Sequence, residues 1–241
     1  GQWQFCIQPP AYVQSDQNVQ PLPWFQTAEA DGIIIRDYPH IGSLRQMNLP
    51  MIIDDSRRET IKDLPSIVTD SYKIAAIAAD YFVNQGFSSF AFCGFDGIPW
   101  SDKRFDGFQR RLAELGFNNV YKYRCPDESK RQLQDERPLI ADWLKSLPKP
   151  IGLFACNDDR GQFILTGCQL ANILVPQEVA VLGVDNDQLM CGLSCPPMSS
   201  IELDFENAGF SAARLLESLI KNKYSAPSEN IVVSPLDVCV R

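Results

Sequence analysis

The sequence predicts an α/β chain of parallel sheets with helices on both faces. Three observations carry that prediction: short, continuously apolar runs; amphipathic stretches of helical spacing between them; and regular alternation of the two along most of the 241 residues. Strands that are apolar throughout are buried on both faces, and right-handed crossovers between such strands give a doubly wound sheet.

The elements follow in order. Asp31-Gly32 leads into Ile33-Ile34-Ile35, and Pro50 leads into Met51-Ile52-Ile53. Ile67-Val68-Thr69 reads as a third strand. After it, Ile74, Ile77, Ala78, Tyr81 and Phe82 recur with helical spacing until Gly86 stops the helix. Phe90 to Gly94 is a buried strand, and Phe105, Phe108, Leu112 and Leu115 mark a second helix ending at Gly116. The pattern repeats with a strand from Val120 to Tyr123 and a helix over residues 132–147, halted by Pro148. A strand from Ile151 to Cys156, a helix from Asp158 to Ala171 and a strand from Val179 to Val184 complete the series. After Asp185 the rhythm breaks into a loop rich in Gly, Cys and Pro. Ser199-Ser200-Ile201, a helix over residues 205–221, Asn230 to Val233, and finally Val238 and Val240 follow. A helix and strand added after a finished sheet fit a chain returning to an earlier lobe. The length supports two lobes of roughly 120 residues, each able to bury a core.

Composition narrows the function classes. Lys and Arg number 22 against 30 Asp and Glu, a net charge of −8. Nucleic-acid binding rests on neutralising phosphates, and the densest basic clusters, Arg57-Arg58 and Arg110-Arg111, read as solvated charge. The segment is therefore not expected to hold DNA itself. No apolar run approaches the roughly 20 residues of a membrane span, and no basic stretch followed by an apolar one opens the chain. The start at Gly1 fits a piece of a longer protein. The eight cysteines form no C-x-x-C pair and lie far from the single histidine, His40. Reduced thiols of a cytoplasmic protein, with no metal and no cofactor, are thus expected. The lone histidine and the absence of a nucleophile-elbow or phosphate-loop motif argue against an enzyme.

Taken in order, a set of short motifs is more specific than any one of them. These are Asp31-Gly32-Ile33-Ile34, Pro50-Met51-Ile52-Ile53-Asp54, Val68-Thr69-Asp70-Ser71, Gly86-Phe87 before Phe90 to Gly94, and Arg104-Phe105-Asp106-Gly107-Phe108. Ala155-Cys156-Asn157-Asp158, Val181 to Asp187 and Pro197 to Ile201 complete the set. The ordered set resembles the ligand-binding domain of the LacI/GalR repressor family over nearly the whole chain. The stretch from Gly183 to Ile201, with Ala141-Asp142-Trp143-Leu144, resembles the xylose operon regulators within it, which carry a C-terminal AraC-type DNA-binding domain. The resemblance implies a two-lobed, periplasmic-binding-protein-like type I fold. The N-lobe is expected over residues 1–70 plus 201–224, and the C-lobe over 71–198 plus 228–241. It also implies that a strand and a helix of the N-lobe precede Trp3-Gln4-Phe5, and that the DNA-binding domain lies outside this chain.

Candidate site residues fall at the carboxyl ends of strands, where open α/β sheets bind ligands. Asp70 and Ser71 follow the third strand, Asn157 and Asp158 follow Cys156, and Asp185 follows Val184. Carboxylates and amides suit a sugar hydroxyl, which both donates and accepts, and the Arg104 fork can donate twice. Phe95 or Trp100 offers an apolar face to a pyranose. Asp70, Asn157 and Asp158 fit the N-cap of the following helix equally well. Arg104 fits a surface pair with Asp102 or Asp106, and the two aromatics fit core gaps. The function expected is a pentose-responsive sensor, D-xylose first, in a homodimeric transcription regulator without membrane contact. The alternative is a periplasmic sugar-binding protein of a transport system.

Overall fold

The computed structural model describes residues 3–6, 29–36, 46, 48–54, 64–125, 136–222 and 230–241. In chain order the elements are β1 (Ile33–Arg36), β2 (Met51–Asp54), β3 (Ser66–Thr69), α1 (Ser71–Asn84), β4 (Phe90–Cys93), α2 (Pro99–Glu114), β5 (Val120–Lys122) and α3 (Arg137–Ser146). They continue with β6 (Ile151–Ala155), α4 (Asp158–Ala171), β7 (Val179–Asp185), α5 (Gln188–Leu193), β8 (Ser199–Leu203), α6 (Phe205–Lys221), β9 (Ile231–Val233) and β10 (Pro235–Cys239). Residues 126–135, where the helix ending at Pro148 was expected to begin, lie outside the described residues.

Helix boundaries follow local chemistry. Asp70, Asn157 and Asp204 each cap the helix that follows, their side chains accepting from the backbone N–H of Lys73, Arg160 and Asn207. Such caps satisfy donors that the first turn leaves without intrahelical partners. Pro99 opens α2, where a missing N–H costs nothing. Asn172 closes α4 in the left-handed region at φ 55°.

The strands form two sheets. One has the order β1-β2-β3-β9 and is parallel throughout; the other has the order β10-β8-β7-β6-β4-β5 and is parallel except for β10 against β8. In the larger sheet the pleat alternates side chains between two cores. Phe90, Phe92, Phe154 and Leu182 face α1 and α2 residues such as Phe82 and Phe108. Ala91, Cys93, Leu153 and Val181 pack with Ile140 and Leu144 of α3 and Ile164 of α4. In the smaller sheet, Ile52 packs with Ala212, Leu216 and Leu219 of α6.

Among the described residues the chain passes between the two layers three times, each time through a single residue: Asp70 between β3 and α1, Asp204 between β8 and α6, and Ser234 between β9 and β10. Backbone hydrogen bonds lace these crossings together, from Asp70 N to Val233 O at 3.0 Å and from Asp204 N to Ser234 O at 2.9 Å. The strand order corrects the expected partition at two places. Residues 201–203 belong to β8 of the larger sheet, because Ile201 is in register with Val184. Residues 231–233, expected with the C-lobe, instead pair with β3 in the smaller sheet, Val232 opposite Val68. The end of the chain is thus shared between the sheets. The loop after Asp185 also contains the short helix α5, which its Gly, Cys and Pro content had masked.

Candidate functional site

Arg104 is the centre of the candidate site. It sits one turn into α2 and is only 3% exposed. Its Nη1 donates to the Cys156 carbonyl just beyond β6, and its Nη2 donates to Thr69 Oγ1 at the end of β3, 3.4 Å away. One guanidinium therefore joins a strand end of the larger sheet to a strand end of the smaller. The Trp100 ring lies beneath it, with the guanidinium carbon 4.9 Å from the ring centroid. Burial pulls the Arg104 pKa down, and the negative charge of Asp185 is the strongest influence holding it up. Among the described residues its Nε is buried without a hydrogen-bond partner.

Asp185 ends β7 in a backbone shape that few side chains adopt, φ 107°, and Asn186 follows at φ 53°. Burial pushes its carboxyl up to about 6. Arg104 opposes that rise, Asp158 and Asp159 add to it, and Arg36 opposes it more weakly. An acceptor at the end of β7 thus stands with a planar donor and an indole face from α2, the donor reaching two strand ends. That combination suits a polyol, whose hydroxyls need both partners and whose C–H face needs an apolar wall.

The other expected residues sort by what they touch. Asp70 and Asn157 serve as helix caps, and Asn157 also donates from Nδ2 to Asp159 Oδ2 at 3.1 Å. Ser71 is buried beside the site, its Oγ 3.4 Å from Thr69 Oγ1. Arg104 is not the surface partner of Asp102, which lies instead 3.6 Å from Lys122 Nζ. Phe95 meets Trp100 edge-on with centroids 6.1 Å apart, but its face carries Arg160 at 4.9 Å. Phe95 therefore serves the Arg160 side of the structure more than the Arg104 side.

Asp158 is the clearest departure from expectation. Its carboxylate is 2% exposed and already engaged: Oδ1 accepts from Ser200 Oγ at 2.6 Å, and Oδ2 accepts from Asp187 N at 2.8 Å. Both of its oxygens thus already accept hydrogen bonds from within the protein. Burial is the main cause that pushes its carboxyl up.

Two features escaped sequence reasoning. Thr69 and the Cys156 carbonyl complete the Arg104 bridge, and neither carries a local signal. Arg160 and Glu136 form a buried two-point ion pair with both N···O distances 2.7 Å. These residues lie 24 apart, with nothing in the sequence joining them. Among the described residues no group of His, Cys, Asp and Glu could hold a metal ion.

The family described as "Periplasmic binding protein-like domain" matches residues 79–241. The chain belongs to the periplasmic binding protein-like family. The Xylose operon regulatory protein of Haemophilus influenzae is 32% identical over 177 residues, covering 72% of this chain and 45% of the relative. The Xylose operon regulatory protein of Escherichia coli strain K12 is 32% identical over 178 residues, covering 73% of this chain and 45% of the relative. The chain thus spans less than half the length of these curated relatives. A solved structure described as that of the xylose-binding transcription activator xylR superposes with a TM-score of 0.75 at 28% identity, over 88% of this chain and 57% of that one. The family implied by the ordered motifs is the one these comparisons give.

Proposed function

We propose that this periplasmic-binding-protein-like chain is the sugar-sensing domain of a transcription regulator, taking D-xylose or a related pentose between its two sheets. The observation that carries the proposal is the Arg104 bridge, from Thr69 at a strand end of one sheet to Cys156 at a strand end of the other, with Asp185 and Trp100 beside it. A sugar contacting both ends of that bridge favours one arrangement of the lobes over another, and that preference is what a sensor transmits. The names of the curated relatives favour a regulator over a transport protein. DNA contact would then fall to a further domain, and a homodimer of cytoplasmic protein is the proposed working form. No reaction chemistry is required of the site, since its groups donate and accept hydrogen bonds.

The test is calorimetric titration of the chain with D-xylose, D-ribose, L-arabinose and D-glucose. Saturable binding of a pentose in preference to glucose is the expected result. Absence of binding to every sugar, by a protein shown to be folded, overturns the proposal.

A further inference from the structure

Two consecutive residues just beyond β7 depend on one buried carboxylate. Asp158 accepts the backbone N–H of Asp187 on Oδ2 and the Ser200 hydroxyl on Oδ1. That hydroxyl in turn accepts the backbone N–H of Asn186 at 3.0 Å. The two peptide units that follow Asp185 are therefore both tied to Asp158, one directly and one through a single hydroxyl. The backbone they hold is unfavourable at Asp185, with φ 107°, while Asn186 at 53° takes a left-handed shape that asparagine adopts readily. A shape like that at Asp185 persists only where surrounding contacts over-determine it. β7 runs so close to the carboxylate that a Cβ on Gly183 would overlap Asp158 Oδ1.

We propose that Asp158 is a positioning residue of the candidate sugar site: without touching the ligand, it holds the Asp185–Asn186 turn and so aims the Asp185 carboxylate. The inference rests on the sugar-sensor reading. The position calls for a carboxylate because both of its partners donate, and an ionised carboxyl accepts on both oxygens. An amide has one accepting oxygen; with that oxygen on Asp187 N–H, its NH2 faces the Ser200 hydroxyl, which must turn from donor to acceptor, and the charge-assisted leg of the tie is lost. Ser200 acts in series, since its hydroxyl donates to Asp158 and accepts from Asn186.

The experiment compares Asp158→Asn and Ser200→Ala with wild type. It uses calorimetric titration with D-xylose well below each melting temperature, and amide hydrogen exchange at Asn186 and Asp187. Expected are affinities weaker by about tenfold or more, the scale of one lost charge-assisted hydrogen bond. Faster exchange at these two amides, with exchange in the β6 core unchanged, is expected alongside. A purely architectural role lowers the melting temperature and leaves the affinity of the folded protein alone, so wild-type affinity in both variants overturns the inference. If Asp158→Asn does not fold, Ser200→Ala decides. A wild type that binds no sugar overturns the sensor reading, and exchange at Asn186 and Asp187 still judges the tie: unchanged rates in the variants overturn it.

Discussion

Replacing Asp185 with asparagine should make the protein more stable and a worse sugar binder at the same time. The Asp185 carboxyl is raised from 3.8 to about 6 in the folded protein, mainly by burial. Between those values the folded state binds more protons than the unfolded state, so stability falls as pH rises through that window. Each unit is worth about 1.4 kcal/mol, and two units make about 3 kcal/mol the ceiling on the penalty at pH 7. Water reaching the half-buried side chain lowers this, to roughly 1–3 kcal/mol. Asparagine keeps the shape, cannot ionise, and is among the residues most tolerant of positive φ. Without sugar, the melting temperature at pH 7 should therefore rise by roughly 2–12 °C, at the 2–4 °C per kcal/mol typical of this size. The amide also presents a donor where a hydroxyl proton should be accepted. A lost hydrogen bond to a charged group costs about 1.5–3 kcal/mol, so D-xylose affinity should fall roughly 10- to 100-fold. Thermal melts without sugar and calorimetric titration with it measure the two effects on one preparation. A lower melting temperature with unchanged affinity would mean that Asp185 merely shapes the turn, and the reasoning would fail.

Three further outcomes follow from the same contacts. D-xylose affinity of the wild type should decline as pH drops below about 6, where the Asp185 carboxyl gains its proton; a flat calorimetric profile from pH 5 to pH 8 refutes this. Arg104→Lys retains the charge but not the fork that reaches both Cys156 and Thr69. It should weaken sugar binding at least about tenfold, and equal affinity in titration would remove Arg104 from the site. Glu136→Ala leaves the Arg160 guanidinium buried without its partner, which should cost about 3–5 kcal/mol in denaturant unfolding. Sugar affinity should be unchanged, and a loss below about 1 kcal/mol would show that Arg160 finds compensation.

The parts of this architecture legible in sequence are those written in local pattern. Asp185 stood out because it closes the apolar run from Val179 to Val184, and β7 ends on it. The caps at Asp70 and Asn157 were equally readable, although sequence alone left cap and ligand contact undecided. What stayed hidden depends on distant partners. Ile231-Val232-Val233 is a strand by composition in either sheet, and only its register against Ile67-Val68-Thr69 assigns it to the smaller one. Asp158 follows Asn157 in a motif suited to ligand contact, but its actual partner, Ser200, is 42 residues away.

The three crossings also have a mechanical consequence. Asp70, Asp204 and Ser234 each join one layer to the other, and the hydrogen bonds from Asp70 to Val233 and from Asp204 to Ser234 bind these strands into one narrow strap. Independent ribbons would let the halves twist, slide and bend in any combination. Ribbons fastened side by side resist shear, and leave rotation about the strap as the soft coordinate. Thr69, an anchor of the Arg104 bridge, is the residue immediately before the first of these joints. A sugar bound there, as proposed above, would act next to the pivot, where a small displacement is magnified at the far rim of either half, as a short push near a door's hinge swings its outer edge.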